Sequence, residues 1–122
     1  MDRQPEIEIC IRDCPKARLL VWLESVLGEL GLPENAGEAT EYASKLGPVV
    51  LTPNVKDSPF QSVLFKTAKS PWVTSVDCGR QAAQDLACVV RCEPGQHYPE
   101  VNPKTQTFLE IEGESEKLVH WE

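Results

Sequence analysis

The sequence predicts an α+β fold built on an antiparallel sheet, and three observations carry that prediction. Residues 6–12 alternate polar and apolar side chains with period two, and two later segments repeat apolar residues at helical spacing. The apolar segments also follow the order strand, helix, strand, strand, helix, strand, closed by one more hairpin. At 122 residues, with no internal repeat or low-complexity tract, the chain is expected to be a single domain over 1–122 with one core. Its 41% hydrophobic and 25% charged residues place it with ordinary globular chains and exclude disorder.

In the first strand, Glu6 to Arg12, the alternation puts Ile7, Ile9 and Ile11 on one face and Glu8, Cys10 and Arg12 on the other. Asp13 or Cys14 is then expected to cap a helix with Pro15 in its first turn, running to Leu30 and ended by Gly31. Leu19, Leu20, Trp22, Leu23, Val26, Leu27 and Leu30 form its apolar face, with Trp22 in the core. Ala39, Tyr42, Ala43 and Leu46 repeat at helical spacing before Gly47, which predicts a short accessory helix.

Val49 to Thr52 and Phe60 to Ala68 read as the strands of a hairpin. Pro48 and Pro53 flank the first so closely that it is expected at a sheet edge. Thr74-Ser75-Val76-Asp77 resembles a capping box and opens a second helix, ending near Ala87, whose Gly79 and Ala83 permit a close approach to the sheet. Cys88 to Cys92 is a fourth strand. A proline-bearing loop, Glu93 to Gln106, leads to a last hairpin of Thr107 to Glu112 and Glu116 to Trp121, turning at Gly113. Over residues 6–92 this order resembles the ferredoxin-like βαββαβ arrangement, with four antiparallel strands and both main helices on one face. The accessory helix and the C-terminal β-hairpin would be additions. That frame hosts enzymes, sensors and interaction modules alike, so function has to come from particular residues.

Five cysteines cannot all pair within one chain, and the start, Met1 to Glu6, lacks the apolar run of a signal peptide. A stretch of roughly 18 consecutive apolar residues, as a membrane span needs, is also missing. The expectation is a cytoplasmic protein with reduced thiols and no membrane association. Cys14 and Cys78 stand near helix starts, where the macrodipole can lower a thiol pKa, and a thiol-dependent enzyme or redox sensor using one of them is one reading. Neither belongs to a Cys-x-x-Cys pair, and the step from Cys14 to the arginine of a Cys-x5-Arg phosphate loop lands on Leu20. Cys10-x3-Cys14 and Cys88-x3-Cys92 have poor spacing for zinc, so no metal and no cofactor are expected. His97 and His120 have no sequence-local partner, and no Gly-x-Ser-x-Gly elbow or glycine-rich phosphate loop is present. No catalytic residues are assigned.

The net charge of −7 is uneven. From residue 93 onward seven acids face Lys104 and Lys117, a balance of −5, whereas residues 1–92 hold twelve acids and ten bases. Such an end disfavours nucleic acid and favours a basic protein. The preferred reading is a non-enzymatic protein-binding module of the inhibitor or immunity-protein type, docking a basic partner such as a toxin nuclease. Glu110, Glu112, Glu114 and Glu116 would form a negative edge, and Tyr98 and Trp121, with Trp72 as a further candidate, would anchor the contact if exposed. The same charges could instead keep an edge hairpin soluble. A third reading is a small-molecule-sensing regulatory domain.

Overall fold

A computed structural model describes residues 6–66, 69–102 and 105–121. Residues 1–5, the end of the Phe60 to Ala68 strand at 67 and 68, and Pro103, Lys104 and Glu122 lie outside them. The period-two segment is β1 (Ile7–Arg12), with its three isoleucines buried beneath the helices. Helix α1 (Lys16–Leu27) follows. Neither Asp13 nor Cys14 caps it, because Asp13 takes a left-handed φ of 57° and Pro15 becomes the boundary residue, its carbonyl accepting from Leu19 N–H at 3.0 Å. The helix stops three residues before its expected end. Gly28, at φ 85°, turns the chain, and its N–H donates to the Glu24 carbonyl. Gly31 is used otherwise, donating its N–H to the Ala43 carbonyl at 2.8 Å.

The expected accessory helix is instead a hairpin of β2 (Glu34–Ala36) and β3 (Ala39–Tyr42). Gly37, at φ 66°, supplies the tight turn, and the remaining bonds of β3 go to β4 (Val49–Thr52). Tertiary pairing therefore overrides an alanine-rich spacing that local propensity alone would read as helix. The same hairpin moves β4 away from the expected edge. Pro48 and Pro53 lie just outside the strand, so its ladder bonds to β3 and to β5 (Phe60–Phe65) are intact, and the Pro48 carbonyl accepts from Lys66 N–H.

Helix α2 (Ser75–Leu86) starts at Thr74, whose hydroxyl accepts from Asp77 N–H at 3.2 Å, and ends at Ala87 in a left-handed conformation. A Cβ on Gly79 would stand 3.1 Å from Ile111 Cδ1 and 3.4 Å from Val90 Cγ1, which is the close approach that its small residues permit. The chain closes with β6 (Val89–Cys92), β7 (Thr107–Glu112) and β8 (Ser115–His120). All eight strands form one antiparallel sheet in the order β2-β3-β4-β5-β1-β6-β7-β8. The strands β1 and β6 are adjacent, as the sequence predicts.

Both helices pack on the same face, over Ile7, Ile9, Ile11, Val49, Val63, Phe65, Val90, Leu109 and Ile111. An aromatic file links the layers. Phe65 meets Trp72 edge-on at 5.1 Å, and Trp72 stacks on Trp22 of α1 at 5.8 Å. The indole N–H groups of Trp22 and Trp72 donate to Asp85 and Gln81 of α2, so neither polar atom is lost by burial.

Candidate functional site

The opposite face of the sheet is covered by neither α1 nor α2, and its side chains decide what the molecule presents. Alternation from the buried positions places Glu8, Cys10 and Arg12 of β1, Arg91 of β6, and Glu110 and Glu112 of β7 on this face. Its centre holds a small second core of Cys10, Phe60, Val89 and Trp121, flanked by Val55 and Phe108. The Arg91 guanidinium lies 4.6 Å from the Phe60 ring centre and 4.9 Å from that of Trp121. Lys56 closes the cluster from a 3-10 turn, Val55–Asp57, in which Lys56 and Asp57 are left-handed, as is Asn54 just before it. Its ammonium donates to Gln106 Oε1 at 3.0 Å and to the Trp121 carbonyl at 3.2 Å. Beside this cluster runs a groove of about 440 Å³, lined among others by Glu6, Glu8, Leu64, Arg91, Glu93 and Phe108.

The register of the last hairpin divides the four glutamates. Glu110 stands opposite Lys117 on the uncovered face, whereas Glu116 stands opposite Ile111 and so points to the helical side. Arg91 Nε and Nη2 both lie 2.9 Å from Glu110 Oε1, with Lys117 Nζ 3.5 Å from Oε2. Glu116 receives Arg80 Nε at 2.7 Å and Nη2 at 3.0 Å, and the Tyr98 hydroxyl at 3.3 Å. Two of the four carboxylates are thus neutralised inside the chain, while Glu112 and Glu114 are exposed. Trp121 is 9% exposed and Trp72 is also buried; Tyr98 is half-buried.

Burial alone would raise the Glu110 carboxyl, but the hydrogen bond and charge of Arg91, with Lys117, outweigh it and hold it below its ordinary value. Glu116 is held below its ordinary value chiefly by the Arg80 hydrogen bond. A carboxylate whose folded pKa is depressed adds stability above its unfolded pKa and loses that contribution as pH falls through the folded one. Urea stability is therefore expected to drop as pH is lowered from the ordinary carboxylate value of 4.5 downward, and E110Q/E116Q to show a shallower drop. Parallel curves for the two proteins would refute the assignment.

The helix-start thiols do not become acidic. Burial pushes Cys14 up to about 11 and Cys78 well above its usual value, because Cys14 precedes α1 under the core and Cys78 points into it. Burial also lifts Cys10 and Cys92 to about 12. His97 gains a partner that sequence proximity could not reveal. Its Nε2 is 3.2 Å from Thr74 Oγ1 and 4.0 Å from Asp77 Oδ1, at the start of α2. Thr74 is already committed to capping that helix and donates to Asp77 Oδ2, so the three residues form a cap and not a nucleophile with its base.

Sequence reading overlooked a second acidic region, although a simple scan finds it: Leu19 to Ser44 holds five acids and no base. The fold sets Glu34 and Glu41 directly opposite each other across β2 and β3, on the uncovered face, since Glu41 is opposite Val50 and Val49 faces the core. Neither makes an ion pair among the described residues. No helix among those residues is long and apolar enough to cross a membrane. No family model, curated protein or solved structure matches the chain.

Proposed function

We propose that the chain is a non-enzymatic, cytosolic protein-binding module of the inhibitor or immunity-protein type, docking a basic partner such as a toxin nuclease. In this reading β4, β5, β1 and β6 form a ferredoxin-like frame, and the two flanking hairpins extend its sheet. The observation that supports it is the imbalance of charge on the uncovered face. Arg12 is paired with Asp13, Arg91 and Lys117 share Glu110, and Lys56 is held by Gln106 and the Trp121 carbonyl as a cation set against the four carboxylates that follow. Glu8, Glu34, Glu41 and Glu112 have no cation within ion-pair reach among the described residues. Like charges directly opposed across strands destabilise the free protein, and a cationic surface laid over Glu34 and Glu41 would remove that cost.

Within the C-terminal hairpin the roles divide. Glu112 and Glu114 are the carboxylates offered to the partner. Glu110 and Glu116 hold the hairpin to β6 and α2, with Tyr98 beside them and Trp121 supporting the face from beneath.

The test uses basic proteins retained from a lysate of the source at low salt, then identified, purified and mixed with the chain. E34Q/E41Q/E112Q/E114Q is expected to slow association and flatten its salt dependence. Its folding stability should stay within about 0.5 kcal/mol of the parent, or rise by a few tenths as the Glu34–Glu41 repulsion is removed. An unchanged association rate across salt concentrations would sink the proposal.

A further inference from the structure

The pairing of β1 with β6 brings two thiols to one corner of the molecule. Arg12 is directly opposite Val89, so continuing the antiparallel register sets Asp13 against Cys88, with Cys14 one position further along. Side-chain geometry agrees with the register. Cys88 Sγ lies 4.0 Å from the Asp13 carbonyl oxygen and 3.3 Å from that of Leu86, and Cys88 packs against the same core cluster that holds Cys14. Left-handed residues at Asp13 and Ala87 turn the chain sharply on both sides of the contact. Cys14 is buried and Cys88 half-buried, while Cys10, Cys78 and Cys92 are buried elsewhere.

We propose that Cys14 and Cys88 form an oxidation site, at which a peroxide closes a disulfide between the β1–α1 corner and the α2–β6 corner. The proposal is independent of partner docking. Cys88, the one reached from solvent, attacks the peroxide as its thiolate. The O–O bond breaks, Cys88 becomes a sulfenic acid, and the departing oxygen leaves as water after taking up the released proton. Cys14 sulfur then attacks Cys88 sulfur, the S–O bond breaks, and the hydroxyl leaves as a second water with the Cys14 proton. Two thiols are oxidised by two electrons and one peroxide is reduced.

The closed ring spans most of the chain, so the disulfide restricts the unfolded state strongly and should raise the melting midpoint by roughly 5–15 °C. The reduced full-length protein is treated with a small excess of hydrogen peroxide, its remaining thiols are alkylated, and it is digested without reductant. The expected result is three alkylated cysteines, a linked peptide pair containing Cys14 and Cys88, and a higher midpoint that dithiothreitol reverses. Five alkylated cysteines, a different linkage, or over-oxidised Cys88 with Cys14 still alkylated would overturn the proposal. The C88S variant is a second check, since a half-buried site tolerates the change: it should give no Cys14 disulfide and no peroxide-dependent shift.

Discussion

Phe65→Ala is expected to cost about 3–5 kcal/mol of folding stability. Phe65 is fully buried on the helical face of β5, opposite Ile7 in β1 and Val49 in β4, so it fills the sheet where three strands meet. Its edge contact with Trp72 also supports the stack of Trp72 on Trp22. Removing the ring leaves a void that neighbours held by ladder bonds and indole hydrogen bonds cannot collapse to fill. Urea denaturation measures the change. Val21→Ala serves as the reference, because Val21 on α1 is 68% exposed and its truncation should stay within about 0.5 kcal/mol. Similar losses at the two positions would show that the aromatic file does not organise the core.

Arg91→Ala is expected to cost about 1.5–3 kcal/mol, from lost stacking and from a carboxylate left short of its main partner. The Arg91 and Glu110 side chains are only 18% and 12% exposed, and the guanidinium sits against both Phe60 and Trp121. Without it, Glu110 keeps only Lys117, at 3.5 Å. Arg91→Lys should recover little, because an ammonium cannot donate as a planar fork while covering two rings. A double-mutant cycle with Glu110→Gln separates the pair from the stacking. The combined loss should be smaller than the sum of the single losses, since both changes remove the same ion pair. Strict additivity would mean that Arg91 acts through the aromatic rings alone.

These two sites also show how far the chain could be read before folding. The alternation at Ile7, Ile9 and Ile11, the capping box at Thr74 and the turn at Gly113 each depend on residues close in sequence, and all three mark elements that form. The segment 39–46, of which Ala39–Tyr42 is β3, is different. Its alanine spacing favours a helix locally, yet β4 offers a row of ladder bonds, and a strand that satisfies them gains more than helix propensity supplies. Gly28 and Gly31 could each end α1, and the choice rests on the bond between Gly31 and Ala43 that only the β2–β3 hairpin makes available.

Composition and local pattern by themselves determined the α+β class, the two main helices, the last hairpin and the excess of acid. Which of those acids remain available was decided by the tertiary structure. Register across β7 and β8 sends Glu110 and Glu116 to opposite faces, where Arg91 and Arg80 neutralise them, and register across β2 and β3 sets Glu34 against Glu41 with no cation. The reason is the range of the interactions. Periodicity and capping act over a few residues of chain, whereas an ion pair is settled by which strands become neighbours, here Arg91 with a glutamate 19 positions away and Arg80 with one 36 away.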